Sequence, residues 1–82
     1  LQITLSDQAT KDFESIPRSE KPKIYKKMQF LENSGINYNT YKLQNSEFYR
    51  IRQGDFRIIF SLDEEKNKIV ILAISHRKDA YS

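Results

Sequence analysis

The sequence predicts an α+β domain of order β-α-α-β-β-β, with a helical hairpin packed on one face of a mostly antiparallel four-stranded sheet. Three observations carry this. Apolar residues alternate with polar ones over Leu1–Leu5, Phe48–Arg52 and Phe56–Leu62, the period of a strand with one buried face. Between the first two of these stretches the apolar spacing changes to three and four, the period of a helix lying on a core. Finally, Ile69 to Ile74 is unbroken apolar sequence, as expected of a strand near the middle of a sheet.

Each element has its own local reason. Leu1, Ile3 and Leu5 form the buried side of the first strand. Ser6 reads as a helix N-cap, Asp7 suits the positive end of the helix dipole, and Ala9, Phe13 and Ile16 make one apolar stripe before Pro17 ends the helix. Ser19 is expected to cap a second helix, with Glu20 and Pro22 in its first turn, Ile24, Met28 and Leu31 as its stripe, and Gly35 as its stop. Residues 36 to 47 read as a loop pinned by Ile36 and Leu43, with room for an extra helical turn. Two strands then flank a turn containing Gly54, and a charged turn, Asp63 to Lys68, leads to the last strand and a polar tail, His76 to Ser82. No repeat, linker or low-complexity stretch divides the chain, so one domain over residues 1–82 is expected.

Composition excludes several chemistries. A chain of 82 residues has room for one small core and no cleft between lobes. With no Cys and a single His, disulfides, thiolate metal sites, haem-thiolate and cysteine-nucleophile chemistry are out, and no metal or other cofactor is expected. No apolar run reaches the roughly 20 residues that span a bilayer, and Leu1 to Leu5 lack the features of a signal peptide, so a soluble cytoplasmic protein with no membrane partner is the expectation.

The net charge of +3 is modest, and its distribution says more than its size. Four of the five arginines, Arg50, Arg52, Arg57 and Arg77, lie in the C-terminal part. Residues two apart in a strand share a face, so Arg50 and Arg52 point together, away from Tyr49 and Ile51. A turn leaving an even number of unpaired residues, Gln53-Gly54 or Gln53 to Phe56, sets Arg57 opposite Arg50 or Arg52 and gathers all three guanidiniums on one face. An odd turn drives Arg57 into the core, where an unpaired guanidinium is expensive, so the even register is preferred. Like charges so placed repel unless an anion sits among them. The plainer alternative pairs each arginine with a nearby acid, as Arg52 with Asp55 across the turn. Arg77, with Lys78 and Tyr81 after it, adds phosphate-binding and stacking groups near the same sheet edge and favours the anion.

The segments Phe48 to Phe60, FYRIRQGDFRIIF, and Ile74 to Tyr81, ISHRKDAY, resemble the RelE/ParE superfamily of toxins from type II toxin–antitoxin systems. The first half is similar in layout, with Lys42-Leu43 shortly before the second strand. Within the superfamily the RelE branch is the better match, which implies a RelE-like fold and an mRNA interferase: an endoribonuclease that cuts mRNA in the ribosomal A site, inhibits translation and is silenced by a RelB-like antitoxin, acidic and partly disordered. By position, the resemblance implies that Arg50 and Arg52 face the RNA backbone, that Arg57 stabilises the phosphate, that Arg77 is a second basic contact and that Tyr81 acts on the 2′-OH or stacks on substrate. Lys78 joins the RNA-binding set. Family members often carry Lys at the first two positions; Arg stays protonated and serves as a clamp, not a base.

Metal-free cleavage needs a base for the ribose 2′-OH, an acid for the leaving 5′-oxygen and cations for the charge building on phosphorus. Arg57 and Arg77 are the candidate cations. His76 is an acid–base candidate because imidazole changes charge near neutrality, and some superfamily members use a His close to this position. Glu47 is a weaker base candidate. A ParE-like inhibitor of DNA gyrase on the same fold is the main alternative, and a nucleic-acid-binding domain without chemistry a third.

Overall fold

In a computed structural model, residues 2–34, 41–42, 48–63, 65–76 and 78 are described. Strand β1 (Gln2–Leu5) leads into helices α1 (Asp7–Ser15) and α2 (Lys21–Ser34), followed by β2 (Tyr41–Lys42), β3 (Phe48–Gln53), β4 (Phe56–Asp63) and β5 (Lys68–His76). The sheet order is β1-β5-β4-β3-β2, antiparallel except for the parallel pairing of β1 with β5. The four expected strands and the helical hairpin are all present. The segment read as a loop adds a two-residue strand, β2, on the outer edge of β3.

Helix α1 starts as its sequence indicates. Ser6 is in extended conformation and its Oγ accepts the Ala9 N–H at 3.0 Å. Helix α2 begins one residue later than the Ser19 cap implied. The N–H groups of Glu20 and Lys21 both donate to Pro17 C=O, so residues 18–20 form a turn ahead of the helix, and Ile24 N–H then bonds Glu20 C=O. Its stripe is as expected, with Ile24, Met28 and Leu31 buried.

These stripes, with Ala9 and Ile16, cover one sheet face made of Ile51, Phe56, Ile58, Phe60, Ile69, Ile71 and Ile74. Tyr49 packs at the rim of that core, its ring 5.6 Å from Phe60. The spacing on β5 is irregular: Ile59 faces Ala73 but Phe60 faces Ile71, so Leu72 is an extra residue, a β-bulge. After the bulge the sides of β5 exchange. Ile74 enters the core where uninterrupted alternation from Ile69 and Ile71 would put Ala73.

Strand β1 stops opposite Ile71, and α1 satisfies the β5 edge beyond it. Ser6 N–H donates to Ile71 C=O, Ser6 Oγ–H donates to Leu72 C=O at 3.0 Å, and Ile74 N–H donates to Asp12 Oδ2 at 2.9 Å. The other Asp12 oxygen accepts Gln8 Nε2–H at 2.8 Å. Asp12 is therefore what lets the chain leave the β1–β5 ladder without stranding a half-buried donor. Asp12→Ala is expected to lower stability by about 1–3 kcal/mol, the cost of orphaning that N–H, and Asp12→Asn by less because an acceptor remains. Urea midpoints check this; equal midpoints for wild type and Asp12→Ala would mean water replaces the carboxylate.

Candidate functional site

The face that the helices leave uncovered is built by the β3–β4 hairpin. Gln53 pairs with Phe56, leaving Gly54-Asp55 as a two-residue turn, and Gly54 adopts φ +61°, the left-handed value that the first position of a type II′ turn requires. The register is even, as the cost of burying an arginine demanded. Arg52 lies directly opposite Arg57 and Arg50 opposite Ile59, which makes Arg50 a diagonal neighbour of Arg57. In a two-residue hairpin the pair next to the turn is hydrogen-bonded, so Arg52 and Arg57 form the closer, non-hydrogen-bonded kind, with Cα atoms about 4.5 Å apart. Across β5, Ser75 stands beside Arg57 and Ala73 beside Ile59.

This row has no internal counter-charge among the described residues. Among the described residues the ion pair is Lys23–Glu20 at 3.8 Å on the helix side, and no carboxylate pairs with Arg50, Arg52 or Arg57. The Arg52–Asp55 pair of the plainer alternative does not form among them. Arg57 is half-buried, and its Nε is fully buried without a hydrogen-bond partner. A buried donor left unsatisfied costs roughly 1–3 kcal/mol and is uncommon in folded proteins. Arg52 stands directly opposite on the neighbouring strand and Arg50 diagonally, which adds like-charge repulsion. An anion with forked acceptor oxygens, such as a phosphate, bound over the row would relieve the repulsion.

The other expected site residues fall elsewhere. His76 is opposite Phe56 and therefore on the helix side of the sheet, its ring edge-on to Phe56 at 5.1 Å. It borders a cleft of about 350 Å³ between the α1–α2 turn and the hairpin tip, not the arginine row. The bulge at Leu72 is the reason: plain alternation would have carried His76 to the side of Arg57 and Ser75 to the side of Phe56. Lys78 is exposed, and its N–H donates to His76 Nδ1 at 3.1 Å. Arg77, Tyr81 and Glu47 lie outside the described residues. Among the described residues, no helix is long and apolar enough to cross a membrane.

A helical hairpin backing a sheet whose open face gathers Arg50, Arg52 and Arg57 defines a small α+β module with a basic face. The chain belongs to the ParE toxin family of type II toxin–antitoxin systems (parDE), whose model matches residues 3–81. No curated protein sequence matches it. Among solved structures it is similar to RelE in an archaeal RelE–RelB complex from Pyrococcus horikoshii, with TM-score 0.79, 24% identity and 93% of each chain covered. It is also similar to the isolated RelE toxin of E. coli, with TM-score 0.81, 12% identity and coverage of 98% of this chain and 94% of that one. The YoeB dimer from Staphylococcus aureus gives TM-score 0.72, 22% identity and coverage of 93% and 95%. At these identities the structural likeness establishes the RelE-like fold.

Proposed function

We propose that this toxin is a metal-independent endoribonuclease that cuts mRNA on the ribosome, in the A site, and so inhibits translation. The observation that carries the reading is the arginine row on the open sheet face, Arg57 opposite Arg52 and diagonal to Arg50, with no carboxylate partner among the described residues. In the proposed reaction the ribose 2′-oxygen loses its proton and attacks the adjacent phosphorus. The P–O5′ bond breaks, the 5′-oxygen takes up a proton, and the products are a 2′,3′-cyclic phosphate and a free 5′-hydroxyl. Arg57, with Arg77, stabilises the charge gathering on the phosphoryl oxygens. Arg50, Arg52 and Lys78 hold the RNA backbone, and Tyr81 serves the 2′-OH proton or stacks on a base. His76 stands on the opposite side of the sheet from Arg57 and takes no part in this scheme.

Arginine cannot accept the 2′-OH proton, so the site is strong in charge stabilisation and poor in base. Such a site needs its substrate delivered in near-attack geometry, and orientation alone is worth about 7–11 kcal/mol. A ribosome-held codon supplies that orientation. The same basic face suits an acidic, partly disordered antitoxin, which would neutralise the arginines as it folds over them. The likeness to RelE solved with RelB supports a partner of that kind.

The family model favours a second reading, a ParE-like DNA gyrase inhibitor that uses the same cations on DNA. A purified translation system separates the two. The ribonuclease reading expects mRNA cut at defined codon positions, with 2′,3′-cyclic phosphate ends, only when ribosomes are present. Intact mRNA together with blocked gyrase supercoiling would replace it with the second reading.

A further inference from the structure

We propose that Ser75 is a further phosphate-binding residue of the open face, its hydroxyl donating to a phosphoryl oxygen that Arg57 and Arg52 hold. The cross-strand register sets three residues in one line over three strands: Arg52 on β3, Arg57 on β4 and Ser75 on β5. Ile74 is buried in the core on the helix side, which sends Ser75 to the side of the arginines. Residues directly opposite each other have Cβ atoms about 4.5–5.5 Å apart, so one bound phosphate group can be reached from Arg57 and Ser75 together. Ser75 is half-buried, and its hydroxyl makes no hydrogen bond among the described residues.

The fold places Ser75 there by a specific device. Uninterrupted alternation along β5 would put it on the helix side, and the extra residue at Leu72 moves it to the arginine side. Helix α1 and its cap hold that bulge: Ser6 Oγ–H donates to Leu72 C=O at 3.0 Å, and Asp12 Oδ2 accepts the Ile74 N–H at 2.9 Å, next to Ser75. Bulges beside active sites commonly re-aim a side chain in this way. The residue type fits as well. A further cation at position 75 would add to the repulsion along the row, and a carboxylate would occupy the arginine forks itself. A hydroxyl supplies a donor for phosphate without a charge of its own.

Binding of a tetranucleotide RNA with methylated 2′-oxygens, which cannot be cut by its own 2′-OH, reads the contact directly. Ser75→Ala is expected to weaken that binding about tenfold at an unchanged melting temperature, the scale of one hydrogen bond to a charged group, and Ser75→Thr to keep it. Ser75→Asp sets a carboxylate in the row. It should abolish binding and melt above its neutral counterpart Ser75→Asn, by a margin that shrinks as salt is raised. The proposal is overturned by a Ser75→Ala protein that binds as the wild type does, by equal losses in Ser75→Ala and Ser75→Thr, or by a Ser75→Asp protein no more stable than Ser75→Asn.

The cleavage arm rests on the ribonuclease reading. Codon-resolved cutting of ribosome-bound mRNA is expected to fall about tenfold to a hundredfold in Ser75→Ala and to return in Ser75→Thr. A wild type that binds the oligonucleotide but cuts no RNA sinks the ribonuclease reading alone, and the binding data then decide the role of Ser75. A wild type that does not bind the oligonucleotide overturns the proposal itself.

Discussion

Arg57→Met is expected to make the protein more stable and about 10²–10³-fold slower at cleaving ribosome-bound mRNA, the usual loss when one preorganised donor to a developing oxyanion is removed. The two effects have one origin. In the free protein Arg57 stands opposite Arg52, and its buried Nε lacks an acceptor. Methionine keeps the length and apolar stem while removing the charge and the stranded donor. Relief of the order of 1 kcal/mol follows, which in a domain of this size raises the melting temperature by about 4–8 °C. Arg57→Lys should fall between wild type and Met, because an ammonium keeps the charge but not the fork. A Met variant that is less stable and fully active would make Arg57 a structural residue and remove the main support for the anion site.

Opposite signs for stability and activity are the mark of a site that is incomplete without its ligand. The same logic explains how the modest net charge of +3 is misleading. Lysines of the helical hairpin are partly used internally: Lys21 and Lys27 lie over the rings of Phe13 and Phe30, and Lys23 pairs with Glu20. On the sheet side, Arg50, Arg52 and Arg57 have no such use among the described residues. The electrostatic free energy that binding can recover is concentrated there.

The arginine row was legible in the sequence because two independent constraints fix the hairpin. Alternation assigns the faces of each strand, and the cost of burying Arg57 assigns the register. Helix α1 was legible for a similar reason, since the Ser6 cap and the Ala9, Phe13, Ile16 stripe agree. The bulge at Leu72 was not. In Ile69 to Ile74 nearly any residue can face the core, so the run carries no alternation signal for an inserted residue. What fixes the bulge is distant in sequence: Ser6 and Asp12, 66 and 62 residues from their partners on β5. One unreadable residue there decides the side of the sheet that His76 occupies. The late start of α2 has a local cause, the turn closed on Pro17 C=O, which competes with Ser19 capping.

Phe60→Ala should abolish toxicity by a different route. Phe60 is fully buried on β4, in contact with Tyr49 and backed by the helix stripes. Truncation of such a ring costs about 3–5 kcal/mol, against a total stability of roughly 4–12 kcal/mol for a chain of this length. Much of the population would unfold, with loss of ellipticity and amide dispersion that Arg57→Met would not show. The milder Phe60→Leu permits a sharper test. Positions 57 and 60 are about 10 Å apart along the strand and face opposite sides, so their stability effects should add to within about 0.5 kcal/mol. In the double variant Phe60→Leu/Arg57→Met, the methionine should recover part of the stability lost in the core. Cleavage should nevertheless remain at the level of Arg57→Met alone. Recovery of cleavage along with stability would show that Arg57 acts through the fold, and the charge on the open face would then have no part in the reaction.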